Sequence, residues 1–325
     1  MGTGGTPVGG RIEVIAPDGV VEVRVGDDLA GMLLERIELA DGDVVVVTSK
    51  IVSKAEGRVV ADTDRERELA GETVRVLARR GPTSIVRTRH GLTMAAAGID
   101  ASNVERGSVV LLPIDPDDSA RRLRAELYQR TGHRVAVVVT DTAGRAWREG
   151  QTDIAIGAAG LVVLEQYAGR LDAHGNELAV TAPAVADEIA GTAELAQGKL
   201  GGRPFAVVRG RADLVLDATD DGLGAAALVR GEGGDLFGWG AREAVIRALR
   251  ADPADRLPFG AAVSAIELAD VLGATLDVAA AALGPDLVAL DAPIDTRAAA
   301  LVFAHGWEVE PGNGGAETRL RPVTP

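Results

Sequence analysis

A mixed α/β fold of the α+β type is predicted by two observations. Apolar, β-branched runs bounded by Gly, Pro or Asp alternate with segments of helical spacing along the chain. Hydrophobic residues make up 46% of the 325 residues but aromatic ones only 3%, so the core is built from Ala, Val, Leu and Ile, as where helices pack on sheets. Residues 1–10 are Gly-rich and expected to be disordered. Val44–Thr48 (VVVVT) reads as a buried strand, and Arg65–Arg79 has the charge and apolar spacing of a surface helix. Val109–Ile114 is a second strand. Asp118–Arg130 is a helix with Ser119 or Asp117 near its cap, and Arg134–Thr140 a third strand. Ala182–Gln197 is an Ala-rich helix and Pro204–Arg209 a strand. After Arg247 the texture changes: RADPADRLPFG reads as a linker, and residues 248–325 as a small αβ appendage.

Composition excludes several functions. There is no Cys, which removes disulfides, thiolate metal sites and a Cys nucleophile, and fits a reducing cytoplasm. A net charge of −14 without a basic patch opposes binding to nucleic acid or to an anionic membrane surface. The N-terminus lacks the features of a signal peptide, and no apolar run approaches the roughly 20 residues of a spanning helix. A cytoplasmic protein is expected.

The familiar nucleotide signals are missing. GTAELAQGKL (191–200) has the wrong glycine spacing for a phosphate loop, and Leu follows its Lys where Ser or Thr binds magnesium. GLGAAA at Gly222 lacks the context of a dinucleotide site, and no H-E-x-x-H motif occurs. Acidic residues at strand ends are more telling. Asp141 and Thr142 follow a strand directly, and Asp100 and Asn103 lie in GIDASN just before another. A hard divalent cation such as Mg²⁺ or Mn²⁺ takes oxygen ligands of this kind, with phosphate supplying the rest. Asp also caps turns, and that reading competes. The loop GRAWREGQTD favours the ligand reading: it sets Arg145, Trp147, Arg148, Gln151 and Asp153 beside Asp141, and Arg forks suit carboxylate and phosphate. TSKIVSKAEGR contributes Ser49, Lys50, Lys54 and Arg58; QGKLGGRP sets Lys199 and Arg203 among glycines that allow close approach to phosphate. His90 reads equally as a structural histidine or a substrate contact.

Five segments together, VVTSKIVSKAEGR, TRHGLTMAAAGIDASNV, VVVTDTAGRAWREGQTDIAIG, DAHGNELAVTAPAVADEIAGTAELAQGKLGGRP and VVRG, closely resemble the coenzyme F420-0:γ-glutamyl ligases, including the N-terminal half of the longer actinobacterial proteins. The resemblance runs from about Arg11 to Arg247. It implies an uncommon α+β fold, neither P-loop nor ATP-grasp, in a homodimer. It implies that Asp100, Asp141 and Thr142 hold Mg²⁺ or Mn²⁺, that Ser49, Lys54 and Asn103 contact GTP, and that Gln197, Gly198, Lys199, Gly201 and Pro204 wrap its phosphates. IAPDG (15–19) aligns only loosely with the segment the family uses for the guanine nucleotide.

The implied reaction joins the α-amino group of L-glutamate to the lactyl carboxylate of F420-0 with cleavage of GTP, and further γ-glutamyl additions can follow. Arg145, Arg148 and Lys54 are then the expected charge stabilisers, and His90, Trp147, Gln151 and Asp153 the expected substrate contacts. Residues 248–325 are too few for the flavin-binding domain of the two-domain relatives, so no flavin is expected. Two alternatives stand beside this: a related ligase for another acid, and a non-catalytic F420- or nucleotide-binding protein.

Overall fold

A computed structural model of the chain describes residues 10–231, 233–311 and 318–323; the segment expected to be disordered lies outside them except for Gly10. The chain divides into two compact units, residues 1–76 with 81–229, and residues 77–80 with 230–325.

In the first unit the chain runs β1 (Glu13–Ile15), α1 (Leu29–Leu34), β2 (Val44–Thr48), α2 (Ser49–Ala55), β3 (Val59–Ala61), α3 (Arg65–Glu72), β4 (Thr73–Arg80, of which residues 77–80 are assigned to the second unit), β5 (Thr83–Thr88), β6 (Thr93–Ala95) and β7 (Ser108–Val110). It continues through α4 (Pro116–Thr131), β8 (Ala136–Gly144), β9 (Gln151–Ala159), the short hairpin β10 (Arg170–Leu171) and β11 (Glu177–Leu178), α5 (Val185–Gln197) and β12 (Phe205–Arg209). The central sheet has the order β1-β12-β2-β8-β9. Its β2 and β8 run parallel while the other neighbours are antiparallel. The result is a mixed α/β architecture.

Both faces of this sheet are covered, which explains the unbroken VVVV run. Val45 and Val47 join Leu123 and Leu127 of α4 in one core, whereas Val44 and Val46 join Val185, Ile189 and Ala193 of α5 in another. Helix α4 starts earlier than its sequence suggested. Asp115, not Ser119 or Asp117, is the cap: its carboxylate accepts from the Asp118 amide at 2.9 Å, and Pro116 occupies the first turn, where it loses no hydrogen bond. Asp117 instead accepts from the amides of Ala158 and Ala225. The expected helix 65–79 ends at Glu72, because the β-branched alternation of TVRVLARR continues as strand β4. The expected strand 109–114 is regular only to Val110, where β7 pairs with β3.

Glu72 closes α3 as a buried carboxylate held by Arg58 and, at 2.7 Å, by Arg89. Burial pushes this carboxyl up, but the bonds from Arg89 and Arg58 outweigh it and hold it below the ordinary value of 4.5. A depressed folded-state value means that its contribution is complete above 4.5 and is lost as pH falls toward the folded-state value. In thermal melts across acid pH, wild type is expected to lose stability below pH 4.5 more steeply than Glu72→Gln; parallel profiles would contradict this.

The second unit holds α6 (Ala241–Arg250), α7 (Ala265–Leu276), β13 (Ala280–Gly284), β14 (Leu287–Leu290), α8 (Thr296–Ala304), β15 (Trp307–Val309) and β16 (Thr318–Pro322). Its antiparallel sheet has the order β13-β14-β16-β15, and its core gathers Leu268, Leu272, Val288, Val302, Trp307 and Leu320. The division at 229/230 places residues 230–247 in this unit, so the boundary expected after Arg247 falls within α6. RADPADRLPFG is not an exposed linker: Asp255 is buried against Arg247, and buried Arg256 donates to the Trp307 carbonyl at 3.1 Å and lies 4.5 Å above the Phe303 ring. Charge and proline give this stretch the composition of a linker, while distant partners bury it.

Candidate functional site

Strand β8 does not stop at Thr140. It continues through Asp141 and Thr142 to Gly144, and β9 pairs back along it, Thr142 lying opposite Asp153. A register shift after Val139, where Ile156 is passed over, lets Thr140 face Ala155. Such a bulge re-aims side chains near a site. Here three oxygen-bearing residues of β8 are brought to the acidic side chain of β9.

Asp141 is the centre of the cluster. Its Oδ1 accepts from the Ser49 hydroxyl at 2.9 Å, Ser49 being buried at the start of α2 where β2 runs parallel to β8. Burial pushes the Asp141 carboxyl up to about 7, the charges of Asp153 and Asp100 add to the rise, and the Ser49 bond opposes it. Asp100 is paired with Lys50 at 2.7 Å and also accepts from the Ser102 amide and hydroxyl. Burial would raise Asp100, but Lys50 and Ser102 outweigh it and lower the carboxyl. Asp153 is 4% exposed and accepts from Thr142 Oγ1 at 2.7 Å.

Lys199 stands over this acid. Lys199 donates to Thr142 Oγ1 at 2.7 Å and pairs with Glu194 at 3.0 Å and Asp153 at 3.4 Å. Partial burial would lower its pKa, but Glu194 and Asp153 outweigh that and keep it a firm ammonium. Buried Lys54 bonds Glu22 and the carbonyl of Asn103. Asn103 thus meets Lys54 through its backbone, in the left-handed region at φ 52°, while its side chain is exposed.

The glycine-rich turn follows α5. Gly198 at φ 61°, ψ 151° adopts a conformation essentially restricted to glycine. Gln197, just before it, is 1% exposed, and both its amide oxygen and nitrogen lack a hydrogen-bond partner. Orphaned buried amides are uncommon; a cation could take the oxygen of this one, and a phosphate oxygen could accept from its nitrogen. Pro204 completes the turn, its carbonyl accepting from the Thr48 amide at 2.9 Å. Arg203 bonds Asp18 at 2.6 Å, bringing the IAPDG segment to the same turn.

The donors fit a hard divalent cation: carboxylates, a hydroxyl and an unsatisfied amide. Among the described residues no three acidic or His side chains group closely enough to hold a metal unaided, so phosphate oxygens would have to complete the shell.

Other expected site residues lie apart in their contacts. His90 Nε2 sits 3.1 Å from the Pro113 carbonyl and 3.3 Å from that of Ile114; burial and Arg89 lower its pKa, so it is a neutral tie between loops. Arg145 folds back on the Glu149 carbonyl at 2.6 Å, and Trp147 is 87% exposed. Arg148 and Gln151 are exposed as well. Glu22 and Ser102 reach Lys54 and Lys50 through the tertiary fold, without a sequence signal, whereas Glu194 meets Lys199 five residues along the same segment. A cavity of about 200 Å³ lies elsewhere, beside the start of β8, lined by Arg121, Arg124, Tyr128 and Arg134. Its cations Arg121, Arg124 and Arg134 already bond Asp118, Asp221 and Asp217.

A profile described as F420-0:Gamma-glutamyl ligase matches residues 19–75 and 65–210. The chain belongs to this family. It is 42% identical over 219 residues to a protein of Archaeoglobus fulgidus named coenzyme F420:L-glutamate ligase, covering 62% of this chain and 88% of the relative. Proteins of that name from Methanopyrus kandleri (38% over 236 residues, 66% and 93% covered) and Methanosarcina acetivorans (40% over 219 residues, 62% and 86%) are also similar. The protein is accordingly a ligase enzyme.

Proposed function

We propose that the protein joins L-glutamate to coenzyme F420-0 at the expense of GTP, in F420 biosynthesis, with further γ-glutamyl additions available to the same site. The acid cluster of Asp141, Thr142, Asp100 and Asp153, flanked by Lys50, Lys54 and Lys199, supports this reading together with family membership. Asp100, Asp141 and Thr142 would hold Mg²⁺ or Mn²⁺, and Gln197 would offer its orphaned amide. A divalent cation held there supplies charge neutralisation for the nucleotide phosphates.

In the proposed chemistry a carboxylate oxygen of F420-0 takes the γ-phosphoryl group and GDP departs, leaving an acyl phosphate. The α-amine of glutamate attacks the acyl carbon, phosphate leaves with the bonding pair, and the amine loses a proton to form the amide. Lys54 and Lys199 would hold phosphate oxygens, and the turn 198–204 would bring backbone amides against them. Arg145 and Arg148, on the exposed loop between β8 and β9, would reach the anionic substrate when that loop closes, with Trp147 and Gln151 beside them.

Incubation with F420-0, L-glutamate, GTP and Mn²⁺, followed by mass spectrometry, tests this. Glutamylated product that depends on GTP and metal is expected. Consumption of GTP without glutamylation would redirect the assignment to another acid, and failure to bind GTP would overturn it in favour of a binding protein.

We also propose a homodimer acting in the cytoplasm, without a nucleic-acid partner; sedimentation analysis would give the assembly mass. Among the described residues no helix is long and apolar enough to cross a membrane.

A further inference from the structure

We propose that Asp153 is a positioning residue for the cation site, one that sets the orientation of the Thr142 hydroxyl. This rests on the reading of Asp141 and Thr142 as cation ligands. Asp153 was expected to touch substrate, but its side chain is 4% exposed and turned into the sheet edge. It lies directly across from Thr142 in the β8/β9 register, and Thr142 Oγ1 donates to its Oδ1 at 2.7 Å. Its Oδ2 has a second, longer approach from Thr140 Oγ1 at 3.4 Å.

A threonine hydroxyl has one proton and two lone pairs. With the proton committed to Asp153, the oxygen can act only as an acceptor toward the cluster. That side is already in use: the ammonium of Lys199 donates to Thr142 Oγ1 at 2.7 Å. The hydroxyl is thus held with its lone pairs facing a positive charge, as a cation ligand requires. A buried carboxylate is costly unless paired. A sheet edge needing only packing would be served by an apolar residue at this position, so the Thr142 bond and the Lys199 charge give Asp153 a purpose that packing does not. Groups that orient metal ligands in this way commonly change metal affinity 10–100-fold when replaced.

The test is Mn²⁺ binding to the full-length protein, followed by the loss of the free-ion electron paramagnetic resonance signal, with and without GTP. Asp153→Ala is expected to weaken binding about 10–100-fold. Asp153→Asn, which keeps an acceptor oxygen for Thr142 but not the charge, should fall between it and wild type and serves as the isosteric variant if the alanine form does not fold. In a Thr142→Val background the effect of Asp153→Ala should shrink, because the hydroxyl it orients is gone. A merely structural aspartate would cost the same in both backgrounds. Equal loss in both, or affinity within about twofold of wild type for Asp153→Ala where 10–100-fold is expected, would overturn the proposal. If wild type binds no Mn²⁺ even with GTP, the cation-site reading falls first and carries this inference with it.

Discussion

Replacing Asp141 with Asn is expected to reduce glutamyl transfer by at least about a thousandfold, as removal of several kcal/mol of charge stabilisation implies at 1.36 kcal/mol per decade. The expected stability change has the opposite sense. Asp141 is a desolvated carboxylate pushed up by the charges of Asp153 and Asp100, and its one side-chain donor is the Ser49 hydroxyl at 2.9 Å. An asparagine oxygen can still accept from Ser49, while the like-charge repulsion disappears. Asp141→Asn should therefore melt at or above the wild-type temperature in the absence of ligands, a pattern common where sites trade stability for function. Mass-spectrometric assay and thermal melts on one preparation decide the matter. Retained turnover would remove Asp141 from the chemistry, and a lowered melting temperature would make it a structural residue.

Arg124 should be the costliest side chain to lose for stability. It is 4% exposed on α4, and its guanidinium donates to the carbonyls of Val135 at 2.9 Å, Asp217 at 2.7 Å and Asp220 at 3.1 Å, and to the Asp221 carboxylate at 2.7 Å. One planar group thus ties the start of β8 to the loop 216–221. Gly160 makes room for it: a Cβ there would lie 2.1 Å from Arg124 Nε. Asp221 is half-exposed, so the ion pair itself is screened and most of the effect comes from the carbonyls left without donors. Arg124→Met is expected to lose about 3–5 kcal/mol in urea unfolding, at about 1–3 kcal/mol for each buried carbonyl left without its donor. At 2–4 °C per kcal/mol this corresponds to roughly 6–20 °C in melting temperature. A loss below about 1 kcal/mol would show that solvent replaces these bonds readily. Along β8, Asp141 is about 20 Å from Val135 at 3.3 Å per residue, so the folded fraction of the variant should keep its specific activity.

Several features of the fold and site were legible in the sequence because they depend on neighbours along the chain. The run Val44–Val47 announces a strand covered on both faces, since no alternation is needed where α4 and α5 each take one side. The Asp141-Thr142 pair at the end of an apolar run marks a strand end bearing oxygen side chains, and the segments surrounding it carry the resemblance to the family. Local signals were also where the reading went astray. TVRVLARR extends a helix-like charge pattern into what is a strand, and Ser119 and Asp117 suit a cap as well as Asp115 by local pattern alone.

The tertiary structure alone decided which charges meet. Lys50 reaches Asp100, Lys199 reaches Thr142 and Asp153, and Glu22 reaches Lys54 across long stretches of chain, and no spacing rule connects them. The meeting of Thr142 with Asp153, over which Lys199 lies, follows from the β8/β9 pairing and from the bulge that sets Asp153 across from Thr142. The same geometry withdrew His90 into a loop tie and Asp153 from the surface. Periodicity and punctuation are local properties of a chain and so determine its strands, helices and marked ends; the pairing of charges is a property of sheet order, which settles only when the whole core packs.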